Sequence, residues 1–248
     1  MSLLATKNLY KHFDGVKAVD HLSVAFEEGK VTGVVGPNGS GKSTLVNALT
    51  GLVPIDGGEV LVSSATTLRS IQTSEVAEYE MTRTFQDVRL FEQIPVIDNV
   101  LVVLTRRSVW GSLFEKHKEF HHEQAKMALE RVGLWEKRNE LAKNLSYGQR
   151  KLLEIARVLA MVEARGIKLV FLDEPFAGLF PEMVKLVISI VKELRTQGKS
   201  VVLIEHNMDI IRELSDHLYV LDAGKLLAEG NPEEVLRQKD VIEAYLGE

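Results

Sequence analysis

The hydrophobic pattern of residues 3–30 is that of β structure. Leu22, Val24 and Phe26 alternate with polar or small neighbours, and a period of two is typical of a strand. A continuous apolar run from Val31 to Val35 follows a turn. The start of the chain is therefore predicted to be a series of short strands.

The period becomes helical in the middle of the chain, from about residue 98 to residue 161. Ala125, Leu129 and Val132 recur on one face between charged residues, and Gly133 is a predicted helix stop. A second amphipathic run follows a predicted N-cap at Ser146.

Two later apolar runs predict buried strands that end in charged residues. Residues 168–172 lead into Asp173-Glu174-Pro175, and residues 200–204 lead into Glu205-His206. Open α/β sheets place their ligands at the carboxyl ends of their strands, so these charged residues are candidates for a site. A hairpin around Ala223-Gly224 and two short helices, one of them starting near Pro232, are predicted to close the chain.

Composition narrows the class of protein. The 248 residues are 45% hydrophobic and 26% charged, as in soluble globular proteins, and no apolar run approaches the roughly 20 residues of a membrane span. Residues 1–7 lack the apolar region of a signal peptide, so we expect a cytoplasmic chain. The net charge of −5 argues against a nucleic-acid partner, and the absence of cysteine excludes disulfides. We expect one domain, residues 1–248, with a helical subdomain inserted at about residues 92–162.

The stretch after the first apolar run carries the most specific chemistry. It reads Gly36-Pro37-Asn38-Gly39-Ser40-Gly41-Lys42-Ser43, and with Thr44 it leads into a run with helical spacing. This strand–loop–helix setting is that of a phosphate-binding P-loop, whose glycines let successive amides point at a phosphate. Lys42 can reach the β- and γ-phosphates, and the Ser43 hydroxyl can ligate Mg2+. The sequence therefore predicts binding of a nucleoside triphosphate.

A P-loop enzyme also needs a carboxylate for magnesium and a group that activates water. Asp173 suits the first role and Glu174 suits that of general base. His206 is a candidate for fixing the γ-phosphate or the water, and Gln86 for sensing the ion. Each of these residues alone is more often structural, but their order after the P-loop favours a common site.

Two aromatic or imidazole features have competing interpretations. Phe13, in a short loop, either stacks on a base or belongs to the core. His117 and His121 lie four apart on a predicted helix beside His122, but no metalloprotease pattern surrounds them. A solvated helix face is the better interpretation of these histidines.

The order of these motifs, together with Leu145-Ser146-Tyr147-Gly148-Gln149, resembles the ATPase subunits of ABC transporters. The resemblance covers the whole chain, with an aromatic loop at Phe13, the P-loop at 36–43, a Q-loop at Gln86, the signature at 145–149, Walker B at 169–173, the catalytic Glu174 and the switch His206. It implies an α/β fold with a RecA-like core sheet, an N-terminal antiparallel β subdomain and an inserted α-helical subdomain. It also implies ATP and Mg2+ as ligands, the ion being held by Ser43, Gln86 and Asp173.

The resemblance further implies a head-to-tail dimer with a second ABC ATPase subunit, identical or not. Two ATP molecules are then sandwiched between the chains, and the P-loop of one chain faces the signature of the other. Ser146, Gly148 and Gln149 are the signature residues expected to contact that nucleotide. Permease subunits would be direct partners, a periplasmic binding protein an indirect one, and the location would be the cytoplasmic face of the cell membrane.

Shorter motifs narrow the resemblance to the larger ATPase of branched-chain amino-acid uptake transporters. They are Arg83-Thr84-Phe85-Gln86-x-x-Arg89-Leu90-Phe91, Val96-x-x-Asn99, the signature Ser146-Tyr147-Gly148-Gln149 and the ending Tyr245-Leu246-Gly247-Glu248. The lipopolysaccharide-export ATPase is similar in its Asp-Glu-Pro-Phe-Ala-Gly and Tyr-Leu-Gly-Glu segments but lacks the Arg-Leu-Phe element. Urea-uptake ATPases are a third relative. The permease is expected to dock in a groove near the Q-loop that is lined by residues 88–96. Its apolar cluster comprises Leu90, Phe91, Ile94 and Val96, and core burial of all four is the alternative.

Two positions depart from the family pattern. Phe180 stands where members usually carry Asp or Asn, so it either packs on a non-identical partner at the nucleotide sandwich or folds back beside Pro181. The link from Met161 to Lys168 is longer than usual, and we expect a surface elaboration there.

Two other classes of protein compete with a transporter ATPase. Soluble ABC proteins of DNA repair carry long coiled-coil insertions, and those of translation place two cassettes in one chain, and neither feature is present in this sequence. A stand-alone P-loop kinase would not explain the signature loop.

Overall fold

The alternating residues near the N-terminus form an antiparallel sheet. The computed structural model describes residues 2–63, 66–105 and 115–246. Within this part of the chain the sheet has five strands: β1 (Ser2–Phe13), β2 (Val16–Leu22), β3 (Ala25–Glu27), β5 (Gly57–Val62) and β6 (Thr66–Leu68). Their order is β2-β1-β5-β6, with β3 also paired to β1. The predicted N-terminal antiparallel β subdomain is confirmed.

The continuous apolar runs form a second sheet. Among the described residues it has six strands: β4 (Val31–Val35), β7 (Met81–Arg83), β8 (Leu169–Asp173), β9 (Ser200–Ile204), β10 (His217–Asp222) and β11 (Lys225–Gly230). Their order is β11-β10-β4-β9-β8-β7, parallel throughout except for the predicted hairpin of β10 and β11. Every residue of β4, β8 and β9 is buried, as expected for parallel strands covered on both faces.

Helix α1 (Lys42–Leu49) follows β4 and joins the two sheets into one core. Leu45 and Leu49 on its apolar face are almost fully buried in that core. Phe26 meets Phe171 and Tyr219 edge to face, with ring centroids 6.1 and 6.2 Å apart. These residues belong to one compact unit, made of Met1–Arg83, Lys168–Glu174 and Ile188–Glu248.

A second compact unit comprises Thr84–Ile167 and Pro175–Val187. Its helices are α2 (Val96–Leu104), α3 (Glu115–Arg131) and α4 (Tyr147–Arg165), each packed on the other two, together with the start of α5 (Pro181–Thr196). Gly133, with φ +70°, follows the end of α3, as predicted. The single domain of residues 1–248 with a subdomain at about 92–162 stays a prediction.

The remaining helices are α6 (Met208–Leu214), α7 (Pro232–Val235) and α8 (Lys239–Leu246), so the two predicted C-terminal helices are confirmed. Asn231 caps α7 and Pro232 occupies its first turn, where a missing N–H costs no hydrogen bond. In the described part of the chain, none of the helices combines the length and apolarity that crossing a bilayer requires.

The segment from Met161 to Lys168, expected to be a surface elaboration, is exposed at Glu163, Gly166 and Lys168 but is largely a continuation of helix α4. Helix α4 continues to Arg165, and Gly166 ends it in the left-handed conformation at φ +66°. Val162 and Ile167 are 2% and 0% exposed. The segment therefore lengthens the helix to Arg165, with apolar side chains at its two buried positions.

Candidate active site

The sheet order brings three predicted segments to one edge. Val34 of β4 is in register with Ile204 of β9, and Ile204 is in register with Asp173 of β8. The backbone N–H of Glu174 continues this pairing and donates to the Ile204 carbonyl at 3.0 Å. The P-loop, Asp173-Glu174 and Glu205-His206 therefore leave adjacent parallel strands at their carboxyl ends, which is where such sheets bind ligands.

The P-loop has a conformation that requires glycine at two positions. Gly36 and Gly41 have φ of +151° and +101°. A Cβ at Gly36 would lie 2.1 Å from the Leu221 carbonyl oxygen, and one at Gly41 would lie 2.2 Å from the Ala18 carbonyl oxygen. Because both neighbours are backbone atoms, a side chain at either position would distort the loop.

Lys42 is the charged group inside this loop. Its ammonium donates to the carbonyls of Gly36 at 2.7 Å and Pro37 at 2.9 Å and lies 3.3 Å from the Ser40 hydroxyl. Only 6% of Lys42 is exposed. No side chain caps the start of α1, so its first backbone N–H groups are available to a ligand. These N–H groups and the Lys42 ammonium lie in the same short segment. This combination can bind a phosphate.

Glu174 and His206 are in direct contact. His206 Nε2 lies 3.1 Å from Glu174 Oε1. Glu174 has φ +46°, and such backbone strain in a residue other than glycine is common at functional sites. The buried Glu205 carboxylate accepts the His206 backbone N–H at 3.1 Å, which fixes the backbone that carries the imidazole.

Arg83 belongs to the same unit and was not among the predicted site residues. Its guanidinium donates to Asn47 Oδ1 on the P-loop helix at 2.7 Å and to Oγ1 of Thr50, the C-cap of that helix, at 2.9 Å. It also lies 3.3 Å from Asp173 Oδ2, and the two side chains are 8% and 2% exposed. Arg83 thus ties the P-loop helix to the Walker B strand. In the sequence, the one indication of this role was the position of Arg83 directly before Thr-Phe-Gln of the Q-loop motif.

The signature residues begin helix α4 in the second unit. Ser146 Oγ accepts the Gln149 backbone N–H at 3.3 Å, and Gln149 Oε1 accepts the Ser146 backbone N–H at 3.1 Å. This reciprocal capping box confirms the predicted N-cap. Gln86 belongs to the same unit and is exposed.

The competing interpretations of the aromatic and histidine residues are partly decided. Phe13 is 43% exposed with the Lys11 ammonium 5.1 Å from its ring centroid, so the core alternative is wrong. His122 is exposed, in keeping with a solvated helix face, and no group of three or more metal-ligating side chains occurs among the described residues. The side chain of His117 lies outside the described part.

The apolar cluster beside the Q-loop has both exposed and buried members. Val96 is fully buried, so its expected role in lining a groove is wrong, whereas Phe91 is 52% exposed. The Asn99 side chain accepts the Phe91 N–H at 2.9 Å and donates to its carbonyl at 3.1 Å. This explains the Asn of the Val-x-x-Asn motif as the residue that holds the Phe91 main chain.

Phe180 is 69% exposed, so its folding back beside Pro181 is not observed.

Comparison with known proteins agrees with this geometry. Residues 19–177 match the family model described as ABC transporter. A nucleotide-free ATP-binding cassette from an ABC transporter superposes with a TM-score of 0.86 at 35% identity, covering 100% of both chains. The ADP conformation of another ABC transporter cassette gives a TM-score of 0.85 at 36% identity, again over 100% of both chains. The chain belongs to the ABC transporter family as one of its ATP-binding cassettes; it binds nucleotide, and ATP hydrolysis is its expected activity.

Its relatives within the family are more specific. Residues 225–248 match a model described as branched-chain amino acid ATP-binding cassette transporter. The chain is 37% identical to the high-affinity branched-chain amino acid transport ATP-binding protein LivG of Salmonella typhimurium, over 99% of this chain and 98% of LivG. It is 35% identical to a probable branched-chain amino acid transport ATP-binding protein of Archaeoglobus fulgidus, over 100% of this chain and 96% of that protein.

Proposed function

We propose that this chain is the ATP-hydrolysing subunit that energises an ABC importer for branched-chain amino acids. The observation that carries the catalytic part is the meeting of the P-loop, Asp173-Glu174 and His206 at the ends of adjacent strands. Full-length similarity to branched-chain amino acid transport ATP-binding proteins supports the substrate class.

Nucleotide binding relies on the P-loop, residues 36–43, with Thr44. Its amides and the Lys42 ammonium hold the β- and γ-phosphates, and the three protein oxygens around Lys42 give way to phosphate oxygens. Phe13, which lies at the end of strand β1 and not in the predicted loop, is exposed and stacks on the base.

The residues present fit a magnesium ion. A serine hydroxyl and a carboxylate are hard oxygen donors that Mg2+ prefers, and the first unit supplies them as Ser43 and Asp173. The resemblance to ABC ATPases adds the amide oxygen of Gln86 as the expected third donor. The Asp173 carboxylate is 2% exposed and is held by Arg83 at the same sheet edge as the P-loop. When bound, the ion would neutralise phosphate charge.

Glu174 acts as the general base in hydrolysis. Its carboxylate takes a proton from water, whose oxygen bonds to the γ-phosphorus while the bond from that phosphorus to the ADP oxygen breaks. His206, 3.1 Å from Glu174 Oε1, orients the carboxylate and contacts the γ-phosphate. A base of this kind contributes typically 10²–10⁴-fold to turnover.

ATP drives closure of a dimer with a second ABC ATPase, identical or different. Ser146, Gly148 and Gln149 of each chain contact the nucleotide held by the other chain's P-loop. Permease subunits on the cytoplasmic face of the membrane receive this motion, and a periplasmic binding protein delivers the solute to them.

Glu174→Gln tests the assignment of the base. The variant keeps the size of the side chain, so we expect ATP affinity to persist while turnover falls by roughly 10²–10⁴-fold and an ATP-held dimer accumulates. Near-normal turnover would remove Glu174 from this role.

Uptake in cells that lack this chain tests the solute. Restoration of leucine, isoleucine and valine uptake by wild type and not by Glu174→Gln supports the importer. Restoration of urea uptake or of lipopolysaccharide export instead would refute the substrate class and leave the ATPase assignment intact.

A further inference from the structure

Glu154 is a carboxylate on the buried face of α4. It lies between the buried Leu153 and Ile155, and only 5% of its surface is exposed. A charge in such a position is costly unless it is hydrogen-bonded, so its partners indicate its role. Glu154 Oε1 accepts the backbone N–H of Phe85 at 3.1 Å, and the carboxylate also accepts the backbone N–H of Arg89.

Arg157, three residues further along α4, completes the contact. Its guanidinium donates to the backbone carbonyl of Arg89. The Arg89 guanidinium in turn lies 4.4 Å from the ring centroid of Phe85. Residues at i and i+3 share a helix face, so Glu154 and Arg157 can both hydrogen-bond to the main chain of residues 85–89.

Phe85 and Arg89, whose main chains are hydrogen-bonded to α4, lie on either side of residues 86–88. Phe85 precedes Gln86 and Arg89 follows Val88, while Gln86 itself is exposed. The main chain is therefore held at both ends of a short exposed segment whose functional side chain points away from the core. The holding helix is α4, which begins with the signature residue Ser146.

We propose that Glu154 and Arg157 form a clamp that positions the Q-loop on the signature helix, so that the two segments move as one piece. They are positioning residues that act through Gln86, and the inference rests on the proposed role of Gln86. The clamp also accounts for Arg89 of the Gln-x-x-Arg-Leu-Phe stretch, because its backbone makes the second contact and its guanidinium covers Phe85.

The test uses the full chain with Glu154→Ala, Glu154→Gln and Glu163→Ala. Glu163 is a matched control, since it lies on the same helix and pairs with Arg131, away from residues 85–89. Three measurements are made on each variant: steady-state kinetics for ATP with magnesium (kcat and KM), ATP affinity without magnesium, and amide hydrogen exchange of residues 85–89.

We expect Glu154→Ala to lower kcat by about 10- to 100-fold, as is typical when the support of a functional residue is removed. ATP affinity without magnesium should not change, and exchange at Phe85 and Arg89 should accelerate. Glu154→Gln keeps an oxygen for the Phe85 N–H and should recover most of the kcat. Glu163→Ala should behave as wild type in all three measurements.

A folded Glu154→Ala variant with the kcat and exchange of wild type overturns the clamp, and so does a Glu154→Gln variant as impaired as Glu154→Ala. If Glu154→Ala does not fold, Arg157→Met replaces it, and a normal kcat in folded Arg157→Met likewise overturns the inference. A failure of the proposed function looks different, because wild type would then show no ATP hydrolysis while the exchange measurement would still report the clamp.

Discussion

Burial of Glu154 predicts a dependence of stability on pH. Desolvation by burial raises the pKa of this carboxyl from 4.5 to about 7, against the opposing effect of its hydrogen bonds to Phe85 and Arg89 and of the nearby charges of Arg157 and Lys151. Because the folded state holds this proton more tightly than the unfolded state, the stabilisation is fully present below about pH 4.5. It is lost progressively as the pH rises through about 7.

The size of the effect follows from the two pKa values. Their difference corresponds to about 3 kcal/mol at about 1.36 kcal/mol per pKa unit, and most of this stabilisation is lost between pH 5 and pH 8. Since the side chain is only 5% exposed, solvent screening does not reduce this figure much.

Glu154→Gln removes the titrating group and isolates its contribution. Unfolding by urea, followed by tryptophan fluorescence, should show the variant gaining about 2–3 kcal/mol on wild type between pH 5 and pH 8. Comparing the two proteins cancels other carboxyls such as Asp20 and Asp56, whose pKa values are lowered by hydrogen bonds to His21 and Lys11. Glu163→Gln, on a partly exposed position of the same helix, is the control. An equal stability difference at both pH values would refute the argument from burial.

Three further changes test the remaining assignments. Lys42→Ala removes the charge held inside the P-loop, so equilibrium titration should show ATP affinity lower by about 10- to 100-fold, and unchanged affinity would reject the phosphate-binding role. Gln93→Cys, at an exposed position beside Phe91, should cross-link to a permease loop in the assembled transporter; no such product counts against docking there. Phe180→Asp should weaken pairing with the second ATPase while the isolated chain keeps its unfolding midpoint, since Phe180 is 69% exposed. A lower midpoint with normal pairing would instead place Phe180 in the packing of its own chain.

Contiguous sequence determined the local parts of this protein. The P-loop consists of a strand, a glycine-rich turn and a helix start that follow one another in the sequence, so its residues could be named from their spacing. Two of its glycines, Gly36 and Gly41, occupy positions where the structure has no room for a side chain. The buried strands β8 and β9 were evident from apolar runs, as was the hairpin of β10 and β11. The N-cap Ser146 was likewise a local signal.

Tertiary structure alone decided which distant residues meet. Strand β9 lies between β4 and β8, and this order, which no local period encodes, places His206 against Glu174. The Arg83 contact to Asp173 depends on β7 pairing with β8 across a separation of 90 residues. Glu154 sits among apolar residues of α4, where its spacing marks only a core position, and its partner Phe85 lies 69 residues away. Periodicity reports which face of an element is buried, whereas the groups that satisfy a buried charge are fixed by how the elements pack.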